Sequence, residues 1–192
     1  METNHIRNLK KSLLSDNWNT LHKVDYELKL KNGEWQKQTR ETYDSGNAAA
    51  ILLYHKEKQT VILVRQFRMP SYLNGNPSGY LVEACAGLLE DDHPDSRIIK
   101  EVEEETGYSI EKVEKVFEAY MSPGSVSELL HFYIAEYTDA MKINDGGGIT
   151  EEQENIEVLE IPFSTAFDMI KKGEIRDAKT IMLLQHLQLK NF

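Results

Sequence analysis

The chain has 192 residues, of which 40% are hydrophobic, enough for one sizeable domain with a small appendage and too many for general disorder. Its formal charge of −10 argues against a polyanionic nucleic-acid partner and against an anionic membrane surface. No apolar run reaches transmembrane length, the N-terminus lacks a signal-peptide core, and the one cysteine, Cys85, sits in an apolar stretch as a buried thiol does in a reducing compartment. These features point to a soluble protein of the cytoplasm.

Residues 1 to about 17 are read as a short helix, and Thr20 to Leu30 as a strand. Asn32-Gly33 is a hairpin signal, with Glu34 to Tyr43 the return strand. This hairpin is too polar to stand alone, so it is expected to pack on something else, a second subunit being one choice. The run Asp44-Ser45-Gly46-Asn47 is a loop and a boundary, giving an N-terminal region over residues 1–44 and a main domain over 45–192. Two apolar strands follow, Ala48 to Tyr54 and Thr60 to Arg68, and the second opens as a run buried on both faces. It ends on Arg65 and Arg68, which serve either as ion-pair partners of the acidic box further along the chain, near Glu101 to Glu105, or as contacts to a phosphate.

Met69 to Gly79 reads as a loop, and Tyr80 to Ala86 as a strand from which Glu83 projects. Pro94 and Gly107 bracket a helix. Strands are expected over Ile110 to Met121 and Val126 to Tyr137, with Glu128 near the start of the second. Asp139 to Asn155 is a long loop holding three consecutive glycines and an acidic run, and loops that long are uncommon unless functional or disordered. A half-exposed strand, Ile156 to Ile161, precedes two helices capped by Ser164 and Asp177. The order predicts an α+β fold, a mixed β-sheet sandwiched between helices as α/β/α layers.

The chemistry concentrates in Ala86 to Tyr108, AGLLEDDHPDSRIIKEVEEETGY. Ile98, Ile99 and Val102 share one side of its helix, while Glu101, Glu104 and Glu105 fall on another, with Arg97 one turn before Glu101. Glutamate-rich faces are usually solvated surface. Three like charges on one patch also suit a hard divalent cation, which takes several carboxylate oxygens.

The whole string resembles the Nudix box, G-x5-E-x7-R-E-U-x-E-E-x-G-U with U apolar, and its second half, Lys100 to Tyr108, matches well. The first half departs: Ala86 stands at the first glycine, Asp92 at the lone glutamate and Lys100 at the arginine, with Gly87 one residue late. Beyond the box, the N-terminal hairpin followed by a VRQFR strand and an EACAG lead-in makes the chain similar to the ADP-ribose pyrophosphatase branch of Nudix hydrolases, and the strings SDN, RQFR, EACAGLL, YMSPG, LLHFYIAEY, GGG and IKKGEIRDAKT narrow the resemblance to its members that act on nucleotide sugars.

That resemblance implies a Nudix fold with an N-terminal β-hairpin extension used for homodimerisation. It implies magnesium-dependent hydrolysis of the pyrophosphate of a nucleotide sugar, GDP-mannose ahead of ADP-ribose, with manganese as a substitute ion; a non-hydrolysing sensor of such sugars is the alternative. It assigns metal ligation to Glu101, Glu105 and the Ala86 carbonyl, with Glu104 beside them. The late acidic loop supplies a further ligand and a base. Aligned from the following strand, Glu154 is the ligand and Glu152 the base; aligned from the glycines, Glu152 is the ligand. Substrate contacts implied are Trp18 on the base, Arg40 and Glu41 from the hairpin, Arg68 on the pyrophosphate, Gly87 and Leu88 beside it, Glu128 on the sugar, and Lys179.

Overall fold

The computed structural model describes residues 5–149 and 153–190. They form two compact units, one of residues 5–47 and 120–129, the other of residues 48–119, 130–149 and 153–190.

The first unit is a three-stranded antiparallel sheet, β1 (Ile6–Asp16), β2 (Thr20–Lys29) and β3 (Trp35–Asp44), in the order β1-β2-β3. The expected helix before Asn17 is therefore a strand. Leu9 and Leu13 are four apart and imitate a helical stripe, but β2 pairs with this segment along its length, from Leu28 to Thr20. Irregular register between Arg7 and Lys10 and between Leu13 and Ser15, with Asn8 at φ 54°, absorbs the residues that break a two-residue repeat. Tertiary pairing overrides a weak local preference. The hairpin turn at Asn32-Gly33 is as expected, closed by Leu30 and Glu34. On the free edge of β3, Tyr43 exchanges backbone hydrogen bonds with Ser125 and Ser127.

The second unit is built on a seven-stranded mixed sheet. Its path is β10 (Glu157–Pro162), β5 (Thr60–Phe67), β4 (Ala48–His55), β9 (Leu129–Glu136) and β8 (Glu114–Tyr120), and β4 and β9 run parallel. Two short strands, β6 (Tyr80–Glu83) and β7 (Cys85–Leu88), pair with β5 and β4 respectively. The single strand expected over Tyr80 to Ala86 thus breaks at Ala84, whose N–H leaves the ladder for the Thr180 hydroxyl at 2.7 Å. Strands β8 and β9 begin later than the apolar runs suggest, because Ile110 is spent as a buried core residue in a loop and Val126 makes only an isolated bridge to Tyr43. The expected loop after Arg68 contains a short helix, α1 (Met69–Leu73).

Strand β4 is buried on both faces, and its alternate residues serve different layers. Ala49, Ile51 and Leu53 join Ile98, Val102, Tyr108, Tyr133 and Tyr137 in one core cluster. Ile98 and Val102 come from the box helix, α2 (Pro94–Glu101) and its continuation. Fully burying Ile98 contributes about 1.5–3 kcal/mol. The C-terminal helix, α4 (Ala178–Leu189), also packs against β4, with Leu183, Leu184 and Leu187 buried. A further helix, α3 (Phe163–Lys172), lies against β10 and β5. Asp177 caps α4 as expected, accepting the Thr180 N–H at 3.0 Å. Ser164 does not cap α3: the helix opens one residue earlier, after Pro162, with no side-chain cap. Among the described residues no helix is long and apolar enough to cross a membrane.

Candidate active site

Helix α2 starts where His93 accepts the Asp95 N–H and Pro94 fills the first turn. It runs as an α-helix to Glu101, then widens into a π turn over Val102–Thr106 and stops at Gly107. Such widened turns are rare and concentrate at functional sites. The two departures from the box are joined to each other: the Lys100 ammonium meets the Asp92 carboxylate at 2.7 Å, pinning the loop before α2 to the helix. Arg97, not Lys100, meets the box acids, with Nη2 2.5 Å from Glu101 Oε1.

Gly87 is needed because Glu101 lies across it. A Cβ added there would collide with the Glu101 carboxylate. One residue earlier, the Ala86 N–H donates to Glu105 Oε2 at 3.3 Å. The N–H and C=O of one strand residue leave on the same edge, so the Ala86 carbonyl faces the box acids as well.

Glu101 and Glu105 are both buried. Burial pushes the Glu101 carboxyl up, Arg97 pulls it back, and Glu104 and Glu154 raise it again, to about 7. Glu105 is driven to about 8, by burial first and then by Glu101 and Glu154, against the Cys85 thiol and the Ala86 N–H. The same neighbourhood raises Cys85, a buried free thiol with no path to ionise.

The charge of Glu154 is felt by both carboxyls, and its loop is stitched to the end of the box helix. The N–H groups of Gly147 and Gly148 donate to the carbonyls of Glu105 and Glu104 at 2.9 and 3.0 Å, and Ile143 N–H donates to that of Gly107 at 2.8 Å. These bonds satisfy carbonyls that a helix end leaves orphaned. Glu104 is half-buried beside them. Glu152 lies outside the described residues.

Among the described residues no three acidic, histidine or cysteine side chains converge as a finished cation cage. Each carboxylate is turned onto a protein donor: Glu101 onto Arg97, Glu105 onto the Ala86 N–H, and Glu154 onto the Ile149 N–H at 2.9 Å. The donor set nonetheless fits a hard divalent ion. Buried carboxylates that hold one another near neutrality, with a carbonyl on the same edge, are what such an ion takes as ligands.

A second set of charges gathers around the buried Glu83 at the junction of β6, β7 and α4. Arg68 meets Glu83 with both arms of its guanidinium, Nε on Oε1 and Nη2 on Oε2, each at 3.0 Å. The Lys179 ammonium lies 2.5 Å from Glu83 Oε2 and 2.9 Å from Asp177 Oδ1. Burial alone would raise Glu83, but Lys179 and Arg68 overcome it and bring the carboxyl down to about 2. Arg68 thus pairs with Glu83 rather than with the box, and Arg65 pairs with Glu157 at 2.9 Å. From the sequence Glu83 was given no role, and Asp177 only that of a helix cap. The signal that would have found Glu83 is a carboxylate on a strand that is otherwise apolar.

In the first unit, Arg40 and Glu41 are exposed on β3 and border a groove of about 560 Å³ shared with Tyr26, Tyr120 and Val126. Trp18 is 78% exposed in the turn between β1 and β2, which disposes of a core role within this chain. Glu128 is half-buried just before β9, and in the second unit Leu88 is exposed at the end of β7.

A strand-loop-helix of this acidity over a mixed sheet defines a phosphate-handling hydrolase class, and comparison with known proteins agrees. Residues 44–184 match the model of the NUDIX domain, and residues 5–43 that of the GDP-mannose pyrophosphatase NudK N-terminal domain. The chain belongs to the NUDIX family of hydrolases. It is 55% identical over 189 residues to a GDP-mannose pyrophosphatase of Escherichia coli O1:K1 / APEC, covering 98% of both chains. It is 56% identical over 182 residues to one of Cronobacter sakazakii, covering 95% of this chain and 94% of that protein. A solved structure described as an ADP compounds hydrolase superposes with a TM-score of 0.70 at 18% identity, covering 95% of this chain and 91% of that one, a likeness of fold.

Proposed function

We propose that this chain hydrolyses the pyrophosphate of a nucleotide sugar, GDP-mannose first among them, to GMP and mannose 1-phosphate. The observation that carries the chemistry is the buried pair Glu101 and Glu105 with Glu154 brought to it by the glycine stitch. The choice of substrate rests on relatives that cover nearly the whole chain and are named for GDP-mannose.

In this reading Glu101, Glu105, the Ala86 carbonyl and Glu154 would hold magnesium, with manganese as a substitute, and the ion would supply neutralisation of phosphate oxygens and a more acidic water. Water oxygen bonds to one phosphorus as the bridging P–O bond breaks and the other phosphate leaves. Glu152 takes the water's proton, with Glu104 as the neighbouring alternative. Arg68 and Lys179 hold the pyrophosphate, against the strand end at Gly87 and Leu88. Trp18, Arg40, Glu41 and Glu128 are assigned to the base and sugar.

We assign residues 1–44 to dimerisation and residues 45–192 to the hydrolase domain. Exposure of Leu9, Leu13, Leu14 and Trp18 in the first unit supports a homodimer, whose hairpin serves the partner's site. Turnover should be measured across nucleotide sugars and ADP-ribose, with and without magnesium, beside light scattering. GDP-mannose is expected to be cleaved fastest, only with magnesium, by a dimer. Preference for ADP-ribose would overturn the substrate, binding without turnover would leave a sensor, and an active monomer would overturn the dimer.

A further inference from the structure

The Arg68 fork and the Lys179 ammonium converge on one carboxylate, that of Glu83, whose side chain is only 2% exposed. An anion so buried behind two cations cannot itself touch a phosphate. It can decide where those cations point. With Nε and Nη2 committed to Glu83, the guanidinium turns its remaining edge outward, and the Arg68 side chain is 41% exposed. Lys179 is clamped from two elements, by Glu83 on β6 and by Asp177 at the start of α4.

The clamp has its own support. Asp177 Oδ2 accepts from the Thr180 N–H at 3.0 Å and from its hydroxyl at 2.6 Å, and the same hydroxyl accepts the Ala84 N–H at 2.7 Å. The start of α4 is thereby locked to the break between β6 and β7, one residue after Glu83. Neutralising the two cations would need only negative charge nearby. A shared carboxylate that takes one cation bidentately and the other on the same oxygen fixes direction as well.

We propose that Glu83 is a positioning residue: it holds Arg68 and Lys179 as a fixed cation pair that receives the pyrophosphate of the substrate. This rests on the nucleotide-sugar reading above. A free arginine and a free lysine each lose rotamer entropy on gripping a ligand, and a pair already held in place loses less. The benefit falls on substrate binding, since cations that meet the pyrophosphate in the ground state act on KM more than on kcat.

The test is steady-state kinetics of Glu83→Gln at saturating magnesium, with folding followed by thermal melting. KM should rise about tenfold and kcat change less than about threefold, while the magnesium concentration for half-maximal rate stays native. A double-mutant cycle with Arg68→Ala should be non-additive, the double variant's KM falling well short of the product of the single effects. Should Glu83→Gln fail to fold, Glu83→Asp carries the test, because it keeps the charge but withdraws the carboxylate by one methylene. It should melt near the native temperature and still show a raised KM. A native KM in either folded variant, or a multiplicative cycle, overturns the proposal while leaving the hydrolase reading intact. A native chain that cleaves no nucleotide sugar overturns that reading, and this inference with it.

Discussion

Two groups of buried glutamates in one domain behave in opposite ways. Glu83 is held at a carboxyl pKa of about 2, whereas Glu101 and Glu105 are pushed to about 7 and 8. Residue type and burial are shared, so neither explains the difference. The neighbours do. Glu83 has two cations within 3.0 Å, while Glu105 has other carboxylates, a thiol and one backbone N–H. A buried charge satisfied by the protein is a structural member. Glu105, set among other carboxylates, and Glu101, answered by Arg97 alone, are the groups in which an added cation would do most.

The comparison is tested hardest by removing one charge from the second group. Glu105→Gln should lower turnover about a thousandfold, roughly 4 kcal/mol, at any magnesium concentration, while circular dichroism stays native. In chelator the same variant should melt higher than the native chain. A variant that kept most of its rate would show Glu105 to be a mere buried acid.

Acid should undo the first group. Glu83 has a depressed folded pKa, so its contribution is present above the unfolded value of 4.5 and is lost as pH falls towards 2. The loss should be about 3 kcal/mol over that window. Urea denaturation of native and Glu83→Gln protein from pH 6 to 2 reads it: the native curve should drop relative to the variant's.

Alkali should undo the second group, with the opposite sign. Raised folded pKa values mean stability that is full below 4.5 and lost as pH climbs through about 7 to 8. In chelator, with about one proton at issue, stability should fall by about 2 kcal/mol between pH 6 and 7.5, at 1.36 kcal/mol per unit. Magnesium should flatten the slope, and a flat slope in chelator would mean that the box acids are solvated after all.

The smallest effect sharpens the contrast from outside. The Lys100–Asp92 pair is exposed, so Lys100→Ala should cost no more than about 0.5 kcal/mol in melting experiments. A larger loss would show that this pair carries more of the box's architecture than its exposure implies.

Much of the fold was legible because local signals and tertiary needs agreed. The apolar run of β5, the Asn32-Gly33 turn, the Asp177 cap and the bracket of Pro94 and Gly107 each name their own structure. The N-terminal strand was not legible, because Leu9 and Leu13 carry a helical spacing and only β2 reveals their use. The acidic triplet was visible as a pattern on a helix, but the π turn that ends the helix and the collision that demands Gly87 are properties of three dimensions. Arg68 was read as either an ion-pair partner or a phosphate contact. The structure supplies the ion pair with a partner, Glu83, that lies fifteen residues away and outside the box.

The glycine stitch bears on how this enzyme tolerates change in length. Gly147 donates to the helix end and accepts the Ile156 N–H at 3.1 Å, so the segment between them leaves and returns through one closed gate. A residue added or removed beyond Gly148, the last donor of the stitch, changes the length of a loop, at a few tenths of a kcal/mol for a modest change. Added before it, between Gly107 and Gly147, the same residue would unthread the carbonyls of Glu104 and Glu105 from their donors. Insertions on the far side therefore leave the end of the helix, and Glu101 and Glu105 with it, where they are.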